Sequence, residues 1–209
     1  MLQDPSARSE GHSEQVAIYA RCMERYGRRH KWIAFLDGDE FLETPGDETL
    51  GEILQELERN ETVGALAVNW KMHSSSGLLT RPASTRKVFV HCVWDDPDKG
   101  GQDSDNRHVK VIVRTDAASM PMGPHMWVLK PGYQTVGEKG DVVESIAFRM
   151  PITRDRIALH HYVVKSREEY VEKMGRGNAM DDPKGEEFWD AVENRYPKEE
   201  CREMARYDP

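Results

Sequence analysis

The stretch Trp32-Ile33-Ala34-Phe35-Leu36-Asp37-Gly38-Asp39-Glu40-Phe41-Leu42 sets an apolar run directly against two carboxylates held one residue apart. If Ile33 to Leu36 form a buried strand, side-chain alternation sends Asp37 and Asp39 out of the strand end on the same side. Gly38 between them lets a ligand approach the backbone closely. Ligands of open α/β sheets sit at the carboxyl ends of strands. Two hard oxygen donors in that place suit Mg²⁺ or Mn²⁺ shared with a phosphate.

Other readings of the same residues compete. The segment from Phe35 to Leu42 is nearly palindromic, and Asp-Gly is a favoured turn, so a purely structural hairpin stays open. A calcium loop is excluded, because the fifth and sixth positions counted from Asp37 are Phe41 and Leu42, not a ligand and a glycine. A phosphohydrolase with an aspartyl nucleophile wants a second acidic pair after another apolar strand. Asp181-Asp182 follow Gly175-Arg176-Gly177-Asn178-Ala179-Met180, which is no strand. The metal–nucleotide reading leads.

The chain of 209 residues suits one domain with a real core, yet 38% of its residues are hydrophobic and 32% charged, a polar balance for an enzyme domain. A net charge of −8 argues against a nucleic-acid binder that works by phosphate neutralisation. Lys165, Arg167, Lys173 and Arg176 nonetheless form a local basic cluster able to hold a diphosphate. Cys22, Cys92 and Cys201 show no metal spacing, and their odd number reads as three ordinary thiols. No apolar run approaches the ~20 residues that span a bilayer, so the chain as given reads as soluble.

Residues 1–14 read as a flexible N-terminal segment. Val16, Tyr19, Ala20 and Met23 fall at helical spacing, ending near Gly27. Leu50, Ile53, Leu54 and Leu57 mark an amphipathic helix capped by Asp47 or Thr49. Val63 to Trp70, Lys87 to Cys92, His108 to Arg114 and Arg156 to Val164 read as strands, with Val109, Val111 and Val113 on one face. Asp95 to Asn106 reads as a surface loop, and Met120 to Gly132 as irregular. Ser166-Arg167-Glu168-Glu169 is a capping box that starts a helix running to about Gly175. Glu186 to Tyr196 is the last helix, with Phe188, Trp189 and Val192 facing the body. Strands separated by helices imply an α/β layer architecture.

In order, these blocks are the helix through Tyr19 to Cys22, then Trp32 to Phe41, then Asn69-Trp70 followed by Ser75-Ser76-Gly77. The strand with Lys110 and the pair Pro124-His125 come next. The series closes on His161-Tyr162-x-x-Lys165-Ser166-x-x-Glu169, with Lys173 and Arg176-Gly177 behind it. Over roughly residues 15 to 178 this order resembles glycosyltransferase family 92 and the related family-2-like group. The resemblance implies a partial GT-A (nucleotide-diphospho-sugar transferase) fold, a mixed sheet flanked by helices. Residues 15–180 would be its C-terminal portion and 181–209 a C-terminal helix and tail. Family members usually carry a further half-domain that grips the nucleobase and ribose; the resemblance starts beyond it, so the donor pocket is expected to be incomplete in this chain.

The resemblance also implies an activity: metal-dependent transfer of a sugar from a nucleotide-diphosphate donor to an acceptor hydroxyl of a glycan or glycoconjugate, with inversion. Its metal motif would be Asp37-Gly38-Asp39, binding Mn²⁺ or Mg²⁺, with His161 completing the shell. Lys165 and Arg176 would hold the donor diphosphate, and Trp70 and His125 would lie on the acceptor or donor-sugar side. The catalytic base is not identified. Full-length relatives are often Golgi membrane proteins, although no such anchor is visible here. The competing reading is a truncated or degenerate, non-catalytic GT-A-like binding module.

Overall fold

The computed structural model describes residues 14–95, 104–176 and 185–207. Along them run α1 (Glu14–Tyr26), β1 (Trp32–Ala34), β2 (Glu40–Glu43), α2 (Leu50–Leu57), β3 (Val63–Met72), α3 (Thr85–Val88) and β4 (His91–Val93). There follow β5 (Val109–Arg114), β6 (Ala118–Pro121), β7 (Trp127–Leu129), β8 (Gln134–Val136), β9 (Ala158–His161), α4 (Arg167–Arg176), α5 (Glu186–Asp190) and β10 (Lys198–Glu200). The result is a mixed α/β architecture whose main sheet is flanked by helices.

β3 is the axis of that sheet because it is long enough to serve three partners. One edge pairs antiparallel with β5 through Ala65 to Asn69. The first half of its other edge pairs parallel with β8, and the second half pairs parallel with β9. β1 adds antiparallel to β5, and β2 adds antiparallel to β9. Seven successive residues of β3, Val63 to Asn69, are buried, as expected for a strand covered on both faces. On one face Ala65, Ala67, Val109, Val111 and Val113 pack with Tyr19 of α1. On the other, Leu66, Val68 and Ile112 pack with Ile53 and Leu57 of α2. α2 starts where Thr49 and Glu52 cap one another, choosing Thr49 over Asp47.

Three expectations need correction. Lys87 to Cys92 is not one strand: the Ser84 hydroxyl accepts from Lys87 N and turns Thr85–Val88 into a short helix, leaving β4 to begin at His91. Met120 to Gly132 is not irregular, because β6 and β7 form an antiparallel hairpin with its prolines at or beyond the strand end, where an edge tolerates them. The cysteines are not three free thiols: Cys92 and Cys201 are disulfide-bonded and Cys22 is free. An odd count forbids a complete framework, not a single bridge. β10 makes this bridge by pairing with β4, with Glu199 opposite Cys92 and Cys201 N donating to Val90 O. The C-terminal segment is built into the core, with Val192 packed among Met72, Val93, Val163 and Tyr170. The loop expected at 95–106 lies mostly outside the described residues, as do Asp181-Asp182 and the segment 1–13.

Two stability predictions follow from this packing. The bridge closes a loop of 109 residues, so Cys92→Ser with Cys201→Ser should cost about 3–5 kcal/mol in urea unfolding, and reductant should destabilise only the parent chain. A Cβ at Gly137 would run into the Arg149 guanidinium. That group cannot retreat, since Asp141 holds it through two bonds of 2.7 Å and Asn69 Oδ1 accepts a third of 2.8 Å. Gly137→Ala should therefore cost about 1–3 kcal/mol in the same assay.

Candidate functional site

β1 and β2 are consecutive in sequence but do not pair with each other. They lie at opposite edges of the main sheet, so the chain between them crosses the sheet's end and carries Asp37 and Asp39 across it. The hairpin alternative therefore fails. The regular part of β1 ends at Ala34, two residues short of the expected Leu36. The crossing is fastened by its own backbone: Glu40 N donates to Asp37 O at 3.0 Å, and Tyr162 N donates to Asp39 O at 2.9 Å.

The two aspartates have different surroundings. Asp37 accepts from Gln15 of α1 at 2.9 Å through Oδ1 and from Lys110 of β5 at 2.8 Å through Oδ2. Lys110 is buried, and its ammonium also lies 3.5 Å from Glu40 Oε2. Burial opposes that charge, but Glu40 and Asp37 outweigh it and raise the lysine above its ordinary range. Glu40 accepts from Asp37 N at 2.9 Å, while its Oε1 is buried without a hydrogen-bond partner among the described residues. Burial pushes this carboxyl up to about 7 against the pull of Lys110.

Asp39 faces β9 and α4. Its Oδ1 lies 3.7 Å from His161 Nε2, and its Oδ2 accepts from Lys173 Nζ at 3.2 Å. Burial works against ionisation, yet the Lys173 and Lys165 ammonium groups hold the carboxyl below its usual range. Burial drops His161 to about 3, so the imidazole is neutral at physiological pH and the lysines supply that stabilisation. His161 Nδ1 is buried without a hydrogen-bond partner among the described residues.

Trp70 of β3 bridges this pair to a group of histidines. Its ring stacks on His108 at 4.6 Å between centroids, meets His161 edge-on at 4.4 Å and lies 5.4 Å from His125. Its Nε1 is buried without a partner among the described residues. His125 Nδ1 donates to Val109 O at 2.8 Å, which leaves the lone pair on Nε2, and burial lowers this histidine to about 4.

Asp39, His161, Trp70 and His125 thus form one cluster, with Asp37 at its β5 side. Lys165, held at φ 56°, contributes to Asp39 through its charge. Arg176 ends α4 exposed, and no hydrogen bond or ion pair joins it to these residues among those described. Lys173 reaches Asp39 instead. A rotational signal for this exists in the sequence, because Lys173 lies three residues after buried Tyr170 and so shares its inward side, whereas Arg176 lies on another face. Lys110 escapes strand alternation because β5 is buried on both faces. Gln15 and Glu40 carry no sequence signal separating them from ordinary polar residues.

A second set of potential ligands, His73, Cys92 and Cys201, is also buried together. It is not a metal centre in this form. The sulfurs are bonded to each other, and Cys92 Sγ lies 3.6 Å from both ring nitrogens, on neither lone-pair axis. His73 Nδ1 must donate to Phe89 O (2.6 Å), so its Nε2 accepts from His160, whose other nitrogen meets Glu43 at 2.8 Å. That chain locks β9 beneath His161. An open cleft of about 800 Å³ beside Gly27, Arg28, His30 and Asp116 contains none of the clustered residues.

The pH response of Glu40 is predictable in sign. Its folded pKa lies above its ordinary value, so folding favours the protonated form and stability falls as pH rises from about 4.5 through 7. Glu40→Gln should flatten that part of the profile and raise stability at pH 8 by roughly 1–3 kcal/mol, measured by thermal melts between pH 5 and 8.

Residues 2–136 match the sequence model of glycosyltransferase family 92. A rice protein (Oryza sativa subsp. japonica) named as a glycosyltransferase family 92 protein is 30% identical over 128 residues, which are 59% of this chain and 20% of that protein. The chain therefore spans about a fifth of the length of the curated relative that it matches. No described helix is long and apolar enough to cross a membrane. The match spans more than half of the chain, including the crossing with Asp37 and Asp39, β3, β5 and His125: the chain belongs to glycosyltransferase family 92.

Proposed function

We propose that this chain acts as a metal-dependent glycosyltransferase domain, supplying the diphosphate and metal side of transfer from a nucleotide-sugar donor to a glycan hydroxyl, with inversion by family analogy. One observation carries the reading: Asp39, ionised and half-buried at the end of the crossing, has its Oδ1 3.7 Å from Nε2 of the neutral His161. A carboxylate and an imidazole at that separation are the residues that would hold a divalent ion here. A mixed carboxylate and imidazole pair fits Mn²⁺ or Mg²⁺ and tilts the choice toward the transition metal. When bound, the metal supplies Lewis-acid stabilisation for charge on the leaving diphosphate.

The chain's own groups do the rest. Asp39 and His161 would hold the ion. Asp37, with both oxygens already engaged by Gln15 and Lys110, sits rigidly beside the metal or ribose. Lys165 adds positive charge near the diphosphate. Trp70 and His125 line the sugar side, where His125 Nε2 accepts a hydroxyl proton in a hydrogen bond. Arg176 reaches the diphosphate only if the end of α4 moves toward it. These assignments rest on chemistry and proximity, and on the family's donor class.

Asp39→Asn keeps the side chain's shape and removes one charge, so Mn²⁺ affinity measured by calorimetry should fall by about tenfold or more while the fold survives. The parent chain should bind a nucleoside diphosphate more tightly with Mn²⁺ than without it. Equal signals with and without metal would overturn metal dependence. A folded chain that binds neither metal nor nucleotide would assign it to the non-catalytic module.

A further inference from the structure

Lys173 is tied to two acceptors at the edge of the cluster. Its Nζ donates to Asp39 Oδ2 at 3.2 Å and to the backbone carbonyl of Val163 at 2.9 Å. Val163 lies two residues beyond His161, so the second bond anchors the ammonium beside the cluster independently of Asp39. An ammonium has three donors, and these two contacts use two of them. The Lys173 side chain is 29% exposed, so it keeps contact with solvent, unlike Lys110. Its compact charge on a flexible stem suits a phosphate oxygen reached by a small swing.

Asp39 is the residue assigned above to the metal, and a divalent ion on its carboxylate repels an ammonium 3.2 Å from the same group. We propose that Lys173 is a placeholder cation: it neutralises Asp39 while the metal is absent, and transfers to the donor's diphosphate oxygens once the metal takes Asp39. The proposal rests on the metal–nucleotide reading. It makes metal and diphosphate binding mutually supportive, because the ion that displaces the lysine also releases it for the second ligand. It also differs from a structural role, in which Lys173 pins α4 to the end of β9 through Val163 and competes with nothing.

The two roles separate by the sign of their effects. Calorimetry on the full chain would measure Mn²⁺ alone and then pyrophosphate in excess Mn²⁺, for the parent, Lys173→Met and Lys173→Gln, with circular dichroism as a check of folding. Gln retains a donor for Val163 O and covers the case in which Met unfolds the chain. The expected result is a rise of roughly three- to tenfold in Mn²⁺ affinity, where the competing cation is gone, with a fall of about tenfold in pyrophosphate affinity. Lys173→Arg should keep pyrophosphate binding within about threefold of the parent. Parallel losses of both affinities, or no change in either, would overturn the placeholder role while leaving the metal site standing. A parent chain that binds no Mn²⁺ would overturn both readings.

Discussion

Three acidic side chains, Asp37, Asp39 and Glu40, cross the end of the main sheet within four residues, and the site depends on how their charge is contained. Like charges at this spacing repel, and cations or hydrogen bonds must meet them, most of all at the buried Glu40. Lys110, rising from β5, meets Asp37 and Glu40, and Lys173, descending from α4, meets Asp39. Each lysine comes from a different element, so the crossing holds its shape only when the sheet and α4 are both in place.

That arrangement divides two chemically identical aspartates. Asp37 is tied to α1 and β5 through both oxygens, which makes it part of the framework. Asp39 is met by one ammonium and by an imidazole too distant for a hydrogen bond, which keeps it available to a ligand. His161 acquires its neutral state from the same burial that fixes β9. Opposite it, His160 joins His73 and Glu43 in a continuous hydrogen-bonded line, so the two faces of one short strand serve different purposes. The disulfide packs against the end of that line and ties the C-terminal segment to β4.

Family membership and site geometry bear on different links of the argument. The match establishes descent over residues 2–136. His161, Lys165 and Lys173 lie beyond that span, and their relation to Asp39 comes from the coordinates alone. The metal and diphosphate assignments are therefore chemical readings of this chain, which its own binding behaviour can test.

The amino-acid sequence by itself determined the elements whose signals are local. α1, α2 and α4 follow from apolar spacing at helical period and, in α4, from a reciprocal capping box, while β3 follows from its largely apolar run and β5 from its alternating valines. It also marked Asp37, Asp39 and His161, because paired carboxylates beside an apolar run and a histidine at a strand end are legible without coordinates. Only the tertiary structure decided which cation meets which carboxylate, that Cys92 pairs with Cys201, and that β1 and β2 part to opposite edges of the sheet. Those outcomes join residues 73, 109 and 134 positions apart in the chain. Local propensity carries no information at that range: register and helix rotation set such contacts, and both are fixed only when the core closes around β3.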